Sequence, residues 1–263
     1  IESKVEMLIQ GSGIEGIYKQ IELAGRTCYK SEDKITPTSA KEFTDRMIKS
    51  GHGAMLEHGT IYLTIARTAA NIGDPIFYVR NKYSKVNEDE LFYFITTNMR
   101  VLVENNRLDD LQYQVEPTKF HEKRITVKFI CDRGVSHEFV RHRVFSFAQE
   151  STRYCNYSKD KFNNEITFIK PTWLDIPTGN YTYWDGDWCD IDKMKIQLPS
   201  DNSITDNFLW CLNNAATQYN LLINKGWKPQ QARQVLPFAV CSPLVMTGFE
   251  SDWEHFFELR CSG

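Results

Sequence analysis

A chain of 263 residues with 41% hydrophobic and 25% charged residues has ordinary globular composition, enough for one substantial α/β domain with a sizeable core. Its net charge of −3 offers no general attraction to a polyanion, so binding to a nucleic-acid polymer is disfavoured and phosphate handling must come from a local arginine cluster. Seven single cysteines without a C-x-x-C pair argue for reduced thiols, and with no basic leader and no membrane-length apolar run the expectation is a soluble cytoplasmic protein with no membrane partner.

Lys4 to Gln10 reads as a short strand, and Ile14 to Ala24 has apolar residues at helical spacing. Ser39 to Ser50 reads as a second helix, with Ser39 as N-cap, Glu42 three positions on and Gly51 past its end. The tight polar loop SGHGAMLEHG follows. Alternation predicts strands at Thr60–Ile65 and Ile125–Cys131. Between them lie a predicted strand at 91–95, a helix through Asn98 to Asn106 and a polar connection ending near Lys123. Val135 to Arg143 fits a helix, since Val135 and Phe139 share a face. The stretch 177–205, rich in Gly, Asp, Asn, Tyr and Trp, reads as a loop or small insertion. Asp206 to Lys225 reads as a helix closed by Gly226, another helix starts near Pro229, and a last one spans Asp252 to Arg260.

GSGIEG (Gly11, Gly13, Gly16) matches the dinucleotide fingerprint between a strand and a helix. The chain that follows, GRTCYKSEDK, is short and polar, whereas a dinucleotide fold needs a second buried strand ending in an acid. An NAD(P)-dependent oxidoreductase is the rival reading that this motif supports. HEFVRH holds histidines five apart, about 140° around a helix, so the pair cannot share one metal from a single face and no metal site is expected. The densest polar element is RHRVFSFAQESTRYCNYS, residues 141–158. Its charges could be a solvated helix end. Interleaved Phe145, Phe147, Tyr154 and Tyr157 instead place them against a packed surface, and arginine forks with serine hydroxyls suit phosphate and pyrimidine edges.

Arg141-His142-Arg143, seven residues, then Ser151 with Arg153 beyond it resembles the R-H-R-x7-S signature of the flavin-dependent thymidylate synthases. GRTCYKS (25–31), SGHGAMLEH (50–58), QARQVLPF (231–238) and HFFELR (255–260) resemble further blocks of that family, in its order. The resemblance implies an α+β fold, a mostly antiparallel sheet flanked by helices, in one elaborated domain over 1–263 with an insertion at about 66–124. It implies FAD as cofactor, NADPH and methylenetetrahydrofolate as co-substrates, dUMP as substrate, and a homotetramer whose sites are shared between subunits.

By the same resemblance His52, Ala54, Glu57, Arg141, His142, Arg143, Gln149 and His255 contact FAD. Glu138, Phe139, Val140, Arg141, Gln149, Glu150, Ser151, Thr152, Arg153, Arg233 and Arg260 contact dUMP, and Arg260 is the catalytic residue that polarises the uracil. The chain departs from the family pattern at Glu138, where relatives carry glutamine, at Gln149, where they carry an acid, and at Ala54, where a hydroxyl is common. Relatives usually continue beyond the position of Gly263 with another helix. A flavin- or nucleotide-binding regulator without turnover is the reading outside enzymes. Cys241, in PFAVCSPL, lacks the histidine that follows a thymidylate-synthase nucleophile and reads as packing.

Overall fold

Ile17, Ile21 and Ala24 close one face of a long helix onto a core where none is more than 1% exposed. The computed structural model describes residues 1–68, 73–159, 165–184, 187–190, 192, 195–199 and 203–261. The chain forms two discontinuous units. The small unit comprises Ile1–Lys4, Ile130–Glu138 and Glu150–Pro243, and the large unit Val5–Phe129, Phe139–Gln149 and Leu244–Gly263.

In chain order the elements are β1 (Lys4–Leu8), α1 (Gly13–Tyr29), α2 (Ser39–Lys49), α3 (Gly53–Leu56), β2 (Thr60–Ala66), α4 (Gly73–Arg80), β3 (Lys85–Glu88), β4 (Phe92–Asn98) and α5 (Met99–Glu104). There follow β5 (Arg124–Ile130), α6 (Arg133–Phe139), β6 (Ser146–Gln149), β7 (Tyr181–Trp184), β8 (Asp187–Asp190), β9 (Lys195–Pro199), α7 (Ile204–Asn224), α8 (Pro229–Ala232), β10 (Leu244–Phe249) and α9 (Glu250–Arg260).

The large unit holds two sheets, ordered β1-β5-β10-β6 and β2-β4-β3. β10 runs antiparallel to both neighbours, placing Thr247 opposite Thr126 on one side and Ser146 on the other. β2 and β3 are antiparallel to β4. The alternation in TIYLTIA buries Ile61, Leu63 and Ile65, which pack with Ile17, Ile21, Ile95 and Met99. The small unit holds the antiparallel sheet β7-β8-β9. Its side chains pack in two smaller clusters, Ile176, Trp188 and Leu209, and Cys155, Tyr157, Tyr219 and Ala232. Antiparallel sheets with separate helices are the α+β class expected.

Several local expectations need correction. The helix predicted to Arg143 stops at Phe139, where His142 N–H bonds the Phe139 carbonyl and Phe145 N–H that of His142. β6 starts at Ser146. Arg141–Arg143 therefore lie in turns, and the helical-spacing argument about His137 and His142 does not apply. Among the described residues no three His, Cys, Asp or Glu gather as metal ligands do.

Ser39 is the first helical residue of α2 and not its cap; its hydroxyl accepts from Thr36 N–H and donates to Glu22. The stretch 177–205, expected as a loop or small insertion, carries the β7-β8-β9 sheet, anchored by Trp188, which is 1% exposed. Residues 185–186, 191, 193–194 and 200–202 of that stretch, 69–72 of the expected insertion, and 262–263 at the tail lie outside the described residues.

GSGIEG does not open a dinucleotide fold. The strand after α1, β2, joins the other sheet and not β1. Gly16 is required by packing, since a Cβ there would meet the Gly11 carbonyl oxygen at 1.7 Å. Gly226 ends α7 with φ +92°, the left-handed backbone expected at that position. None of the seven cysteines is in a disulfide; Cys131 and Cys155 are buried, while Cys211 and Cys261 are exposed. No helix among the described residues is long and apolar enough to cross a membrane.

Candidate active site

The large unit brings together two sequence blocks. After α2 the chain turns through His52, whose Nδ1 is hydrogen-bonded to the Tyr29 hydroxyl at 2.8 Å, and forms the short helix α3. Ala54 is half-buried there. The Glu57 carboxylate accepts from Arg100 Nη1 at 2.5 Å, and Arg100 Nε donates to Glu104 at 2.7 Å. His58, fully buried, shares a 2.8 Å hydrogen bond with Thr247 Oγ1, which in turn bonds Thr126 Oγ1. Burial, reinforced by the Arg124 charge, pushes His58 down to about 3, so it is neutral near pH 7.

The second block is the turn before β6, closed by the last helix. Arg260 Nε donates to His142 Nε2 at 3.1 Å. An Nε2 that accepts places the imidazole proton on Nδ1. Partial burial, then the charge of Arg260 and His255, lowers the His142 pKa in the same sense. The His142 ring meets Phe256 edge-on at 4.9 Å, above a cluster in which Phe145, Trp253 and Phe256 are buried. Phe139 packs on Phe129 and Phe256, and Val140 is exposed. Gln149 ends β6 opposite Leu244. His255 lies exposed on α9, 3.5 Å from Glu258. Arg141 and Arg143 are exposed, and neither has an ion pair or hydrogen-bonded side-chain partner among the described residues.

In the small unit the polar groups are knitted together. Glu150 is 4% exposed and accepts a 2.6 Å hydrogen bond from the Tyr157 hydroxyl. Burial, then the Glu150 charge, raises the Tyr157 pKa far above its usual value, so the phenol keeps its proton. Thr152 Oγ1, also buried, accepts from Arg233 Nη1 at 3.1 Å. The Ser151 carbonyl accepts from Tyr154 and Cys155 N–H, and its hydroxyl accepts from Arg153 N–H. The Arg153 guanidinium is exposed, 5.5 Å from the Tyr154 ring centre. Glu138 is exposed near the end of α6.

Sequence reasoning missed four participants: Tyr29 behind His52, Arg100 on Glu57, Arg124, and Arg133. Arg133 Nη1 donates to Ser242 Oγ at 3.3 Å, and burial together with the Arg233 charge lowers its pKa. Only Tyr29 carried a signal, through its place in GRTCYKS. Chemically, the small unit presents serine and arginine donors of the kind that hold a phosphate. The exposed forks of Arg141 and Arg143, beside His142 and aromatic rings, suit an anionic ligand with an aromatic part.

Comparison with known proteins agrees in kind. Over 255 residues the chain is 23% identical to the flavin-dependent thymidylate synthase of Corynebacterium glutamicum, covering 95% of this chain and 69% of the relative. It is 27% identical over 130 residues to the enzyme of that name from Pyrococcus furiosus, covering 49% of this chain and 43% of that one. A part of each relative thus lies outside the match. A UMP/dUMP methylase, PolB from Streptomyces cacaoi bound with 5-Br dUMP, superposes over 97% of this chain and 76% of its own at 16% identity, with a TM-score of 0.39. The thymidylate synthase complementing protein family matches residues 77–263, the stretch that holds the R-H-R turn, the Arg233 block and Arg260, and the chain belongs to that family.

Proposed function

We propose that the chain is a flavin-dependent thymidylate synthase that methylates dUMP to dTMP, with FAD as cofactor, methylenetetrahydrofolate as one-carbon donor and NADPH as reductant. The observation that carries this reading is the Arg260–His142 hydrogen bond, which joins the last helix to the R-H-R turn across 118 positions. Its support from relatives is the family match.

The Arg260 guanidinium holds the negative charge that develops on a uracil oxygen, making C5 a better carbon nucleophile. The neutral His142 fixes the guanidinium by accepting from its Nε. Arg141 and Arg143 hold the FAD phosphates, with His52, Ala54, Glu57, Gln149 and His255 against the remainder. Ser151, Arg153 and Arg233 hold the phosphate and sugar of dUMP, and Glu150 and Thr152 keep that turn in shape. When bound, FAD supplies the hydride that completes the methyl group. The assembly is a homotetramer with shared sites, and the setting is the cytoplasm.

The test is release of tritium from dUMP labelled at C5, with methylenetetrahydrofolate, FAD and NADPH present and each omitted in turn. Release that needs all of them supports the reading. A yellow tetramer that releases none would instead be a flavin-binding protein without turnover, and a colourless monomer would remove the flavin from the proposal.

A further inference from the structure

Arg124 begins β5 inside the large unit, and among the described residues none of its hydrogen bonds goes to a carboxylate. Nη1 donates to the Glu57 carbonyl at 2.9 Å and to Thr60 Oγ1 at 3.4 Å, while Nη2 donates to Ser146 Oγ at 3.3 Å. Its Nε is buried with no hydrogen-bond partner among the described residues. The acceptors belong to three elements: the end of the His52–Glu57 loop, the start of β2 and the start of β6. A planar fork can reach all three at once, whereas an ammonium on a flexible stem cannot.

Keeping a guanidinium among neutral oxygens is costly, and replacing a buried ionic group by a well-packed apolar one is often neutral or stabilising. The cost shows in the molecule: burial pushes Arg124 down to about 10, and its charge adds to the pressure that keeps His58 neutral. The nearby Glu57 carboxylate, itself engaged by Arg100, offsets only part of that cost. Packing alone gives no reason for a cation at this point.

We infer that Arg124 is a positioning residue for the cofactor: it ties the His52–Glu57 loop to β6, and it sets a permanent positive charge against that loop. The tie fixes the spacing between the two segments proposed to hold FAD. The charge favours the more negative redox state of a flavin bound there. This rests on the proposed FAD site.

The test compares Arg124→Met, Arg124→Lys and the double variant Thr60→Ala/Ser146→Ala, reading FAD affinity by fluorescence quenching and the midpoint potential of the bound flavin. Arg124→Met should weaken FAD binding by about tenfold or more, and should make the potential more negative. Arg124→Lys keeps the charge without the fork, so its potential should stay near that of the unaltered protein while its affinity falls. The double variant should likewise lose affinity at constant potential. An Arg124→Met protein that melts cooperatively and has unchanged affinity and potential overturns the inference. If that variant does not fold, unchanged affinity in both the Lys and the double variant overturns it.

Hydrogen exchange of the flavin-free protein separates this inference from the reading beneath it. In Arg124→Met, or in the Lys variant if Met does not fold, amides of Gly53–Gly59 and Ser146–Gln149 should exchange about tenfold faster, with those of β4 unchanged. Unaltered protein that binds no FAD removes the proposed cofactor. Unchanged exchange in the loop and β6 removes the tie, whether or not FAD binds.

Discussion

The polar groups on either side of the Gln149–Glu150 bond are held in opposite ways. On the large-unit side Arg141 and Arg143 stand exposed without hydrogen-bonded partners among the described residues. On the small-unit side Glu150 and Thr152 are buried and spoken for, by Tyr157 and Arg233. Exposed forks lose side-chain freedom only when a ligand arrives, so they contribute affinity at an entropic cost. Groups already bonded to one another have met that cost during folding and contribute orientation. The first set is expected to govern cofactor binding, and the second to govern both substrate placement and the stability of its own unit.

The strongest challenge to this division is Arg260, which is exposed yet bonded to His142. Arg260→Ala should leave FAD bound and lower tritium release by roughly a thousandfold; retained turnover would take Arg260 out of catalysis. Next is the buried histidine of the large unit. The folded-state pKa of His58 is pushed down to about 3 from an ordinary value of 6.5. Between those values the unfolded chain binds the extra proton, so stability is present above about pH 6.5 and is lost as pH falls toward 3, roughly 3 kcal/mol of it between pH 7 and pH 4. Urea midpoints between pH 7 and 4 should show it, and His58→Gln should flatten the slope.

A smaller loss is expected from Tyr157→Phe, which removes the hydroxyl that donates to Glu150. A hydrogen bond to a charged group puts the cost at about 2 kcal/mol. Calorimetry should show the loss, and the KM for dUMP should rise more than the Kd for FAD. The least effect on folding belongs to Arg143→Ala, within about 0.5 kcal/mol, with weaker FAD binding as its only consequence. Equal melting shifts for Tyr157→Phe and Arg143→Ala would break the comparison.

The long helices were legible because Ile17 and Ile21, and Leu209 and Leu212, repeat at the helical period, and Gly226 marked an end that only a left-handed residue makes easily. The end of α6 was not, since no glycine or proline punctuates Phe139–Val144; strand pairing of Ser146–Gln149 decides it from outside. The antiparallel pairing of β7 with β8 has a local signal in the sequence. Asp185-Gly186 between YTYW and DWCD is a strong short-range hairpin signal. In the site, the 141–153 cluster stood out by composition, but the partners of its neighbours come from far along the chain. Arg100 reaches Glu57 across 43 positions, and Arg124 reaches the Glu57 carbonyl across 67. No local pattern encodes such pairs.

Cys261 follows Arg260 directly and is exposed, while Cys211 is the other exposed thiol, on α7 in the small unit. Burial pushes the Cys131 thiol up to about 12, which leaves it unreactive at neutral pH. The chain therefore carries its own attachment points for a reporter dye. A fluorophore on Cys261 would change colour or brightness as molecules reach the neighbouring Arg260–His142 pair, and one on Cys211 would serve as its internal reference, so ligand arrival can be watched in real time without engineering a new cysteine.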